Sequence, residues 1–206
     1  MFRIACRAVS RRVAFHSPTV RLHGLHGYHR RFSLISIHSS FPASLLRLQR
    51  QPESTLLDHN KTREDTNSDD RVLVSDDGLV YPQLSMKLPF SNGATFMPNT
   101  FTMQEFVRIS LDEHLENIKD GKSITEPVIY SVKKGTPIPS ALTLLRMSVS
   151  QFSLQPSSPV SLKALNSLLD DFYSSHAEVD TVGRWLESHA FEEAFADHAE
   201  ADWMNI

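Results

Sequence analysis

The segment Val128–Pro156, VIYSVKKGTPIPSALTLLRMSVSQFSLQP, decides how the rest of the chain is read. Val128-Ile129-Tyr130 is a β-branched and aromatic run and Leu142–Leu145 is another, so a strand is expected at each. Between them Gly135 admits a positive φ, while Pro137 and Pro139 fix their own φ and bias Thr136 and Ile138 toward extended backbone. The sequence predicts a strand that turns at Lys133-Lys134-Gly135 and returns through a stiff segment to a second strand. A segment of this kind either holds a ligand-facing loop in place or only sets strand register.

Beyond it, Pro156–Pro159 makes a rigid link. Ser161 is placed to cap a helix, with Val160 and Leu165 as a staple and Leu162, Leu165, Leu168, Leu169 and Phe172 as its core stripe. From Ser174 the chain is acidic, with Trp185, Leu186, Phe191, Phe195 and Trp203 spaced for short amphipathic helices, expected to dock with a frayed acidic end. Glu192-Glu193 and Asp197-His198-Ala199-Glu200 lack a His-Glu-x-x-His spacing, so no metal site is assigned.

On the N-terminal side, Phe41–Leu48 reads as the first strand of the folded part, with Arg47 among apolar neighbours. An arginine there either buries its stem at a strand edge with its head in water, the reading the residues alone favour, or points into a cleft at an anion. Residues 51–71 are polar and acidic and are expected as a surface loop or linker. Val72-Leu73-Val74 and Leu79-Val80-Tyr81 flank a turn at Asp76-Asp77-Gly78, and Ser91-Asn92-Gly93 marks another reversal. Thr95 follows that turn, positioned either to offer a hydroxyl to a ligand or to bond the local backbone. Thr102-Met103-Gln104-Glu105 has the pattern of a capping box, with Phe101 and Phe106 as a staple. Phe106, Val107, Leu111, Leu115 and Ile118 give the helix an apolar face, Glu105, Arg108, Asp112, Glu113 and Glu116 a solvated one, and Gly121 an end. Strands and helices follow one another without a βαβ alternation, so the fold class is α+β.

The 206 residues suffice for one domain with extensions, and the net charge of −3 hides an asymmetry. The first fifty residues carry nine Arg and no Lys, Asp or Glu, which leaves twelve basic and twenty-four acidic residues in the rest. Arg3, Arg7, Arg11, Arg12, Arg21, Arg30 and Arg31 lie among Ser, Ala, Val, Leu and Phe, the composition of a mitochondrial transit peptide; a basic nucleic-acid arm is the alternative. Arg30-Arg31-Phe32-Ser33 resembles a matrix-protease site, with cleavage expected after Phe32. His23, His26 and His29 recur every third residue, but no cysteine or carboxylate completes a metal set. Cys6 is the only cysteine, which excludes an intramolecular disulfide. No apolar run approaches the roughly 18–20 residues of a transmembrane helix. The acidic remainder argues against a nucleic-acid partner, and no P-loop, GxGxxG, GxSxG or kinase signature is present. The expected organisation is a leader over 1–38, a domain over 39–175 and an acidic amphipathic tail over 176–206.

Asp77-Gly78-Leu79, Asn92-Gly93-Ala94, Gly135-Thr136-Pro137-Ile138-Pro139 and Phe152-Ser153-Leu154-Gln155-Pro156, followed by Leu165, Asn166 and Leu169, occur in one order. Together they resemble the type VI secretion exported effector family of ADP-ribosyltransferase-like toxins, in the version found in filamentous fungi. The resemblance covers about Phe41–Tyr173. It implies a small ADP-ribosyltransferase-like fold, two short sheets facing each other with flanking helices, and NAD as substrate with no metal. It places Arg47 at the strand position that contacts the dinucleotide, and Thr95 at a hydroxyl position that is usually serine. The family pattern Leu-Leu-His-Glu, two residues, Asp-His-Tyr-Ser-Leu-Gln-Pro becomes Leu144-Leu145-Arg146-Met147, then Ser150-Gln151-Phe152 here. Gln151 and Thr95 are therefore the candidate catalytic residues, although Gln151 cannot exchange a proton as histidine does. Two functions follow from the resemblance: transfer of ADP-ribose from NAD to an unknown protein or small-molecule acceptor, or a catalytically degenerate cleft that binds NAD or a partner. A mitochondrial accessory protein docking through its tail is a third.

Overall fold

The computed structural model describes residues 36–50, 56–61, 71–83 and 92–204. The arginine-rich start, the histidine repeat, the Phe32 site and most of the acidic stretch before Arg71 lie outside the described residues. The strands run β1 (Ser36–His38), β2 (Leu45–Gln49), β3 (Leu57–Asp58), β4 (Arg71–Val72), β5 (Leu79–Val80) and β6 (Ala94–Phe96). Helix α1 (Phe101–Lys119) separates these from β7 (Val128–Val132), β8 (Leu142–Arg146), β9 (Phe152–Pro156) and β10 (Val160–Ser161). Then come α2 (Leu162–His176), β11 (Ala177–Thr181), α3 (Val182–Ser188) and the short α4 (Glu200–Trp203).

The fold is α+β, and two antiparallel sheets carry it. One has the order β1-β8-β9-β6 and the other β11-β7-β2. Both strands expected in the opening segment form, but they do not pair with each other. β7 is the middle of the three-stranded sheet, whereas β8 lies in the four-stranded one. The stiff segment is thus a crossover between sheets rather than the return of a hairpin. Gly135 takes φ 83° and donates its N–H to the Phe41 carbonyl at 2.8 Å, while Phe41 N–H donates to Thr136 at 2.9 Å. Ile138 N–H donates to Ser39 at 3.0 Å. Ser39–Phe41 is the connection from β1 to β2, so two crossovers running in opposite directions bond to each other. Sequence patterning gives a strand's period but not its partner, which is why the two geometries read alike.

Alternation along each strand feeds one core between the sheets. Leu45 and Val132 from the three-stranded sheet meet Ala94, Phe96, Leu144, Phe152 and Leu154 from the four-stranded one. Helix α2 adds Leu165, Leu169, Phe172 and Tyr173, and Ser161 caps it by accepting the Ala164 N–H at 3.2 Å, as its sequence indicates. Phe41 sits between Phe172, stacked at 5.7 Å, and Phe96, edge-on at 5.4 Å. A smaller core joins Leu46 and Ile129 to Met103 and Val107 of α1 and to Val182 and Trp185 of α3.

Four expectations are corrected. The α1 cap is Thr100, whose hydroxyl accepts the Met103 N–H at 3.4 Å; Thr102 instead donates to Asp197 at 3.0 Å. The buried face of α1 is Met103, Gln104, Val107, Ser110 and His114, while Phe106, Leu115 and Ile118 are exposed. The packed stripe follows whichever residues meet β2, β7 and α3, and polar Gln104 and Ser110 fall on it. The segment after Tyr173 is not helical throughout: Ala177–Thr181 is β11, an edge strand paired to β7 along its whole length. Its Val179 is half-exposed, so its apolar content gave no strand signal. Ser36–His38, assigned to the leader's end, forms β1 against β8.

Candidate functional site

The two sheets are bonded where β2 meets the end of β6: Leu46 and Met97 exchange both backbone bonds, at 2.7 and 2.9 Å. Beside this junction a cleft of about 440 Å³ opens, lined by Leu46, Arg47, Leu48, Arg50, Thr95, Met97, Met103, Phe106, Ser148, Ser150 and Gln151. That volume falls in the range of small-molecule sites. All three candidate residues read from the sequence, Arg47, Thr95 and Gln151, line it, although 104 positions separate the first from the last.

Arg47 shares a face with Leu45 and Gln49, the face turned to the core between the sheets. Only 1% of it is exposed, so its head is not in water as the residues alone favoured. Its Nε donates to Gln49 Oε1 at 3.2 Å and an Nη reaches the Thr95 carbonyl at 3.5 Å. A guanidinium held inside at the edge of a cleft keeps its charge, because its pKa is too high to escape by losing a proton. It also sits opposite Tyr130 in the register, where burial first and then Asp170 raise the phenol's pKa, and Arg47 partly lowers it.

Thr95 lies between core residues Ala94 and Phe96 and is half-buried, so its side chain points the other way from theirs. It faces Ser153 across the β6–β9 ladder. The neighbouring Gly93 has a role its Asn-Gly pairing did not reveal. A Cβ there would meet the Leu154 carbonyl oxygen at 2.3 Å, so glycine is required by close approach. Asn92 fixes the same bend through its side chain, accepting from Leu73 N–H at 2.9 Å and donating to Tyr81 at 3.1 Å.

The opposite wall is the loop between β8 and β9, closed by Met147 and Ser148 N–H groups donating to the Gln151 carbonyl at 2.8 and 3.2 Å. Arg146, where the resemblance leads one to expect histidine, does not line the cleft. It is 6% exposed and its guanidinium holds the loop from behind. Nε donates to the Ser148 carbonyl at 3.1 Å, one Nη to Val149 at 2.7 Å, and the other Nη to Glu200 at 2.6 Å. Glu200's carboxyl is thereby pulled below its ordinary range. Arg146 also places its charge 5.5 Å from the Trp203 ring centre and 5.8 Å from that of Phe152.

The charged residues lining the cleft are both cations, Arg47 and Arg50, and no carboxylate stands among its described lining residues. Arg50 is bonded to Glu113 of α1 at 3.0 Å and also lines a second hollow of about 350 Å³ with Ser110, His114 and Asn117. Positive charge, two apolar sulfur side chains and several hydroxyls suit a ligand with a phosphate and flat rings.

The model of the Tse2 ADP-ribosyltransferase toxin family matches residues 43–185. The chain belongs to that family. The match begins just before β2 and ends inside α3, so it takes in both sheets except for the edge strand β1, together with α1, α2 and the whole cleft. No curated protein and no solved structure showed a match. Relative to the family-matched span, the segment from Leu186 onward is additional. Sequence reading missed Arg50, Ser148 and Ser150 as lining residues and the hold of Arg146 on the loop. A polar loop closed by two small serines carries no periodic signal, and the Glu200 partner lies 54 positions away.

Proposed function

We propose that this chain binds NAD in the cleft between its sheets and transfers ADP-ribose from it to an acceptor. The observation that carries the reading is the convergence of Arg47, Thr95 and Gln151 on one cationic cleft in a member of an ADP-ribosyltransferase family. The Arg47 guanidinium, with Arg50 beside it, meets the pyrophosphate. Thr95 offers its hydroxyl to the ribose nearest the reacting bond. In the reaction the bond from the ribose anomeric carbon to nicotinamide breaks, and nicotinamide leaves with the electron pair. The acceptor nucleophile bonds that carbon and releases its proton. Gln151 hydrogen-bonds and orients the acceptor or a ribose hydroxyl; an amide takes up no proton, so the proton passes to solvent or to the acceptor's own groups.

A second reading rests on a specific observation: no carboxylate among the described lining residues faces the positive charge that develops on the ribose. On that reading the cleft binds NAD or a partner without turnover. Incubating the purified full chain with NAD labelled in its nicotinamide and adenylate halves separates the two. Nicotinamide release with transfer of the adenylate label supports the transferase, and binding without release supports the second reading. Failure to bind NAD sinks both.

We also read the chain as the fungal form of the type VI secretion exported effectors, on its ordered motif set, and as a mitochondrial protein, on its acid-free start. Fusing residues 1–40 to a fluorescent reporter tests the address, and a cytosolic signal overturns it.

A further inference from the structure

The segment that follows the family-matched span touches both walls of the cleft. At one wall, Phe195 N–H donates to Asn99 at 2.9 Å and its carbonyl accepts from Phe101 N–H at 3.0 Å, a parallel bridge at the start of α1. Asp197 accepts from Thr102 there, and Phe191 lies 5.2 Å from Phe101 with Arg108 4.5 Å above its ring. This is the β6–α1 corner whose Met97, Met103 and Phe106 line the cleft. At the other wall, Glu200 bonds Arg146, and Trp203, 2% exposed, meets Phe152 edge-on at 6.1 Å. Arg146 in turn spends its two other nitrogens on the carbonyls of Ser148 and Val149, within the loop that carries Gln151.

We propose that residues 191–204 are a strap that braces the β8–β9 loop against the β6–α1 corner, and that Arg146, fastened by Glu200, is the positioning residue for Gln151. The proposal deepens the transferase reading and rests on it for its kinetic consequence, though not for its structural one. A guanidinium is suited to the task because its three nitrogens lie in one plane and bind three acceptors in fixed directions. An ammonium in its place is a point charge without that directionality. The strap braces, at this wall, a loop that lies beyond the end of the β8–β9 ladder. Thus the position that carries histidine in the family pattern serves here to hold the neighbouring wall instead of touching substrate.

The test uses the full chain and the variant Glu200→Gln, which removes one charge from a half-exposed side chain and leaves Trp203 in the core. Hydrogen exchange at residues 148–151 is expected to quicken about tenfold while the thermal midpoint falls by only about 5 °C or less, the scale of losing one charge-assisted bond. With NAD, kcat is expected to fall about fivefold while KM stays within about twofold, because the Arg47 wall is untouched. Glu200→Asp should recover part of both effects. Unchanged exchange in the loop overturns the strap, as does equal acceleration at every amide in the chain. If the wild type does not turn NAD over, the transferase reading fails, while the exchange result still decides the strap.

Discussion

The two walls of the cleft are held by different means. The β2–β6 wall is backbone: Leu46 and Met97 exchange both backbone hydrogen bonds, and Thr95 and Arg47 project from strands whose other residues fill the core. The β8–β9 wall adds a side chain to its own backbone bonds: one guanidinium reads two loop carbonyls and is itself held by one carboxylate from the C-terminal segment. A ladder fixes its residues through many small bonds, so no single exposed side chain controls it. A loop braced by one fork loosens when that fork is cut. The first wall is therefore suited to binding, and the second is the adjustable part.

The largest effect is expected from cutting into the first wall's support. Phe96→Ala removes a fully buried ring that packs on Phe41 and Tyr173 and should cost about 3–5 kcal/mol in urea unfolding. Phe106→Ala, on the same cleft but 41% exposed, should stay within about 0.5 kcal/mol. Similar losses at the two sites would erase the distinction between a core-backed strand and a lining side chain. Gly93→Ala comes next. The added methyl group has no room against Leu154 and should cost about 1–3 kcal/mol, seen as a lowered midpoint. A neutral outcome would mean that the strands separate there without penalty.

A kinetic split sharpens the comparison. Thr95→Val should raise the Kd for NAD about fivefold with kcat nearly unchanged, while Gln151→Ala should lower kcat about tenfold with Kd within about twofold, each near one hydrogen bond. The reverse pattern would exchange the roles given to the two walls.

How much of this was legible in the sequence follows the same division. Val128–Tyr130, Leu142–Leu145, the positive φ at Gly135 and the Ser161 cap are local properties, and they are found as read. Partnership is not local. Nothing between Lys133 and Ala141 tells whether the chain returns beside β7 or crosses to the other sheet, because the extended prolines serve either. The cap is Thr100 rather than Thr102, which lies inside the first turn and gives its hydroxyl to Asp197. Arg47 and Thr95 were legible as site candidates through the resemblance, which ties them to the first strand and to the Asn-Gly turn, whereas the residues alone favoured a solvated head for Arg47. The hold of Arg146 on its loop was not, since it depends on a carboxylate brought from the C-terminal segment.

The smallest effect concerns acid. Burial first, and then the nearby Arg146 charge, lower the pKa of His38 on β1. A histidine with a lowered folded pKa takes up protons more readily when unfolded, so stability is complete above about pH 6.5 and falls as pH drops through the folded value. The depressed Glu200 carboxylate acts in the same direction at lower pH, its contribution being lost as pH falls through its folded value. Unfolding midpoints measured from pH 7.5 to 5 should decline, and His38→Gln should flatten that slope. An unchanged slope in the variant would assign the acid response to other groups.

The central claim is that Arg47, buried at the junction of the sheets, meets a dinucleotide pyrophosphate. Calorimetric titration of NAD into the full chain and into Arg47→Lys tests it most directly, because lysine keeps the charge but not the fork. The account predicts binding to the wild type and an affinity at least about tenfold weaker in the variant, at comparable thermal midpoints. Equal affinity in the two proteins would contradict it.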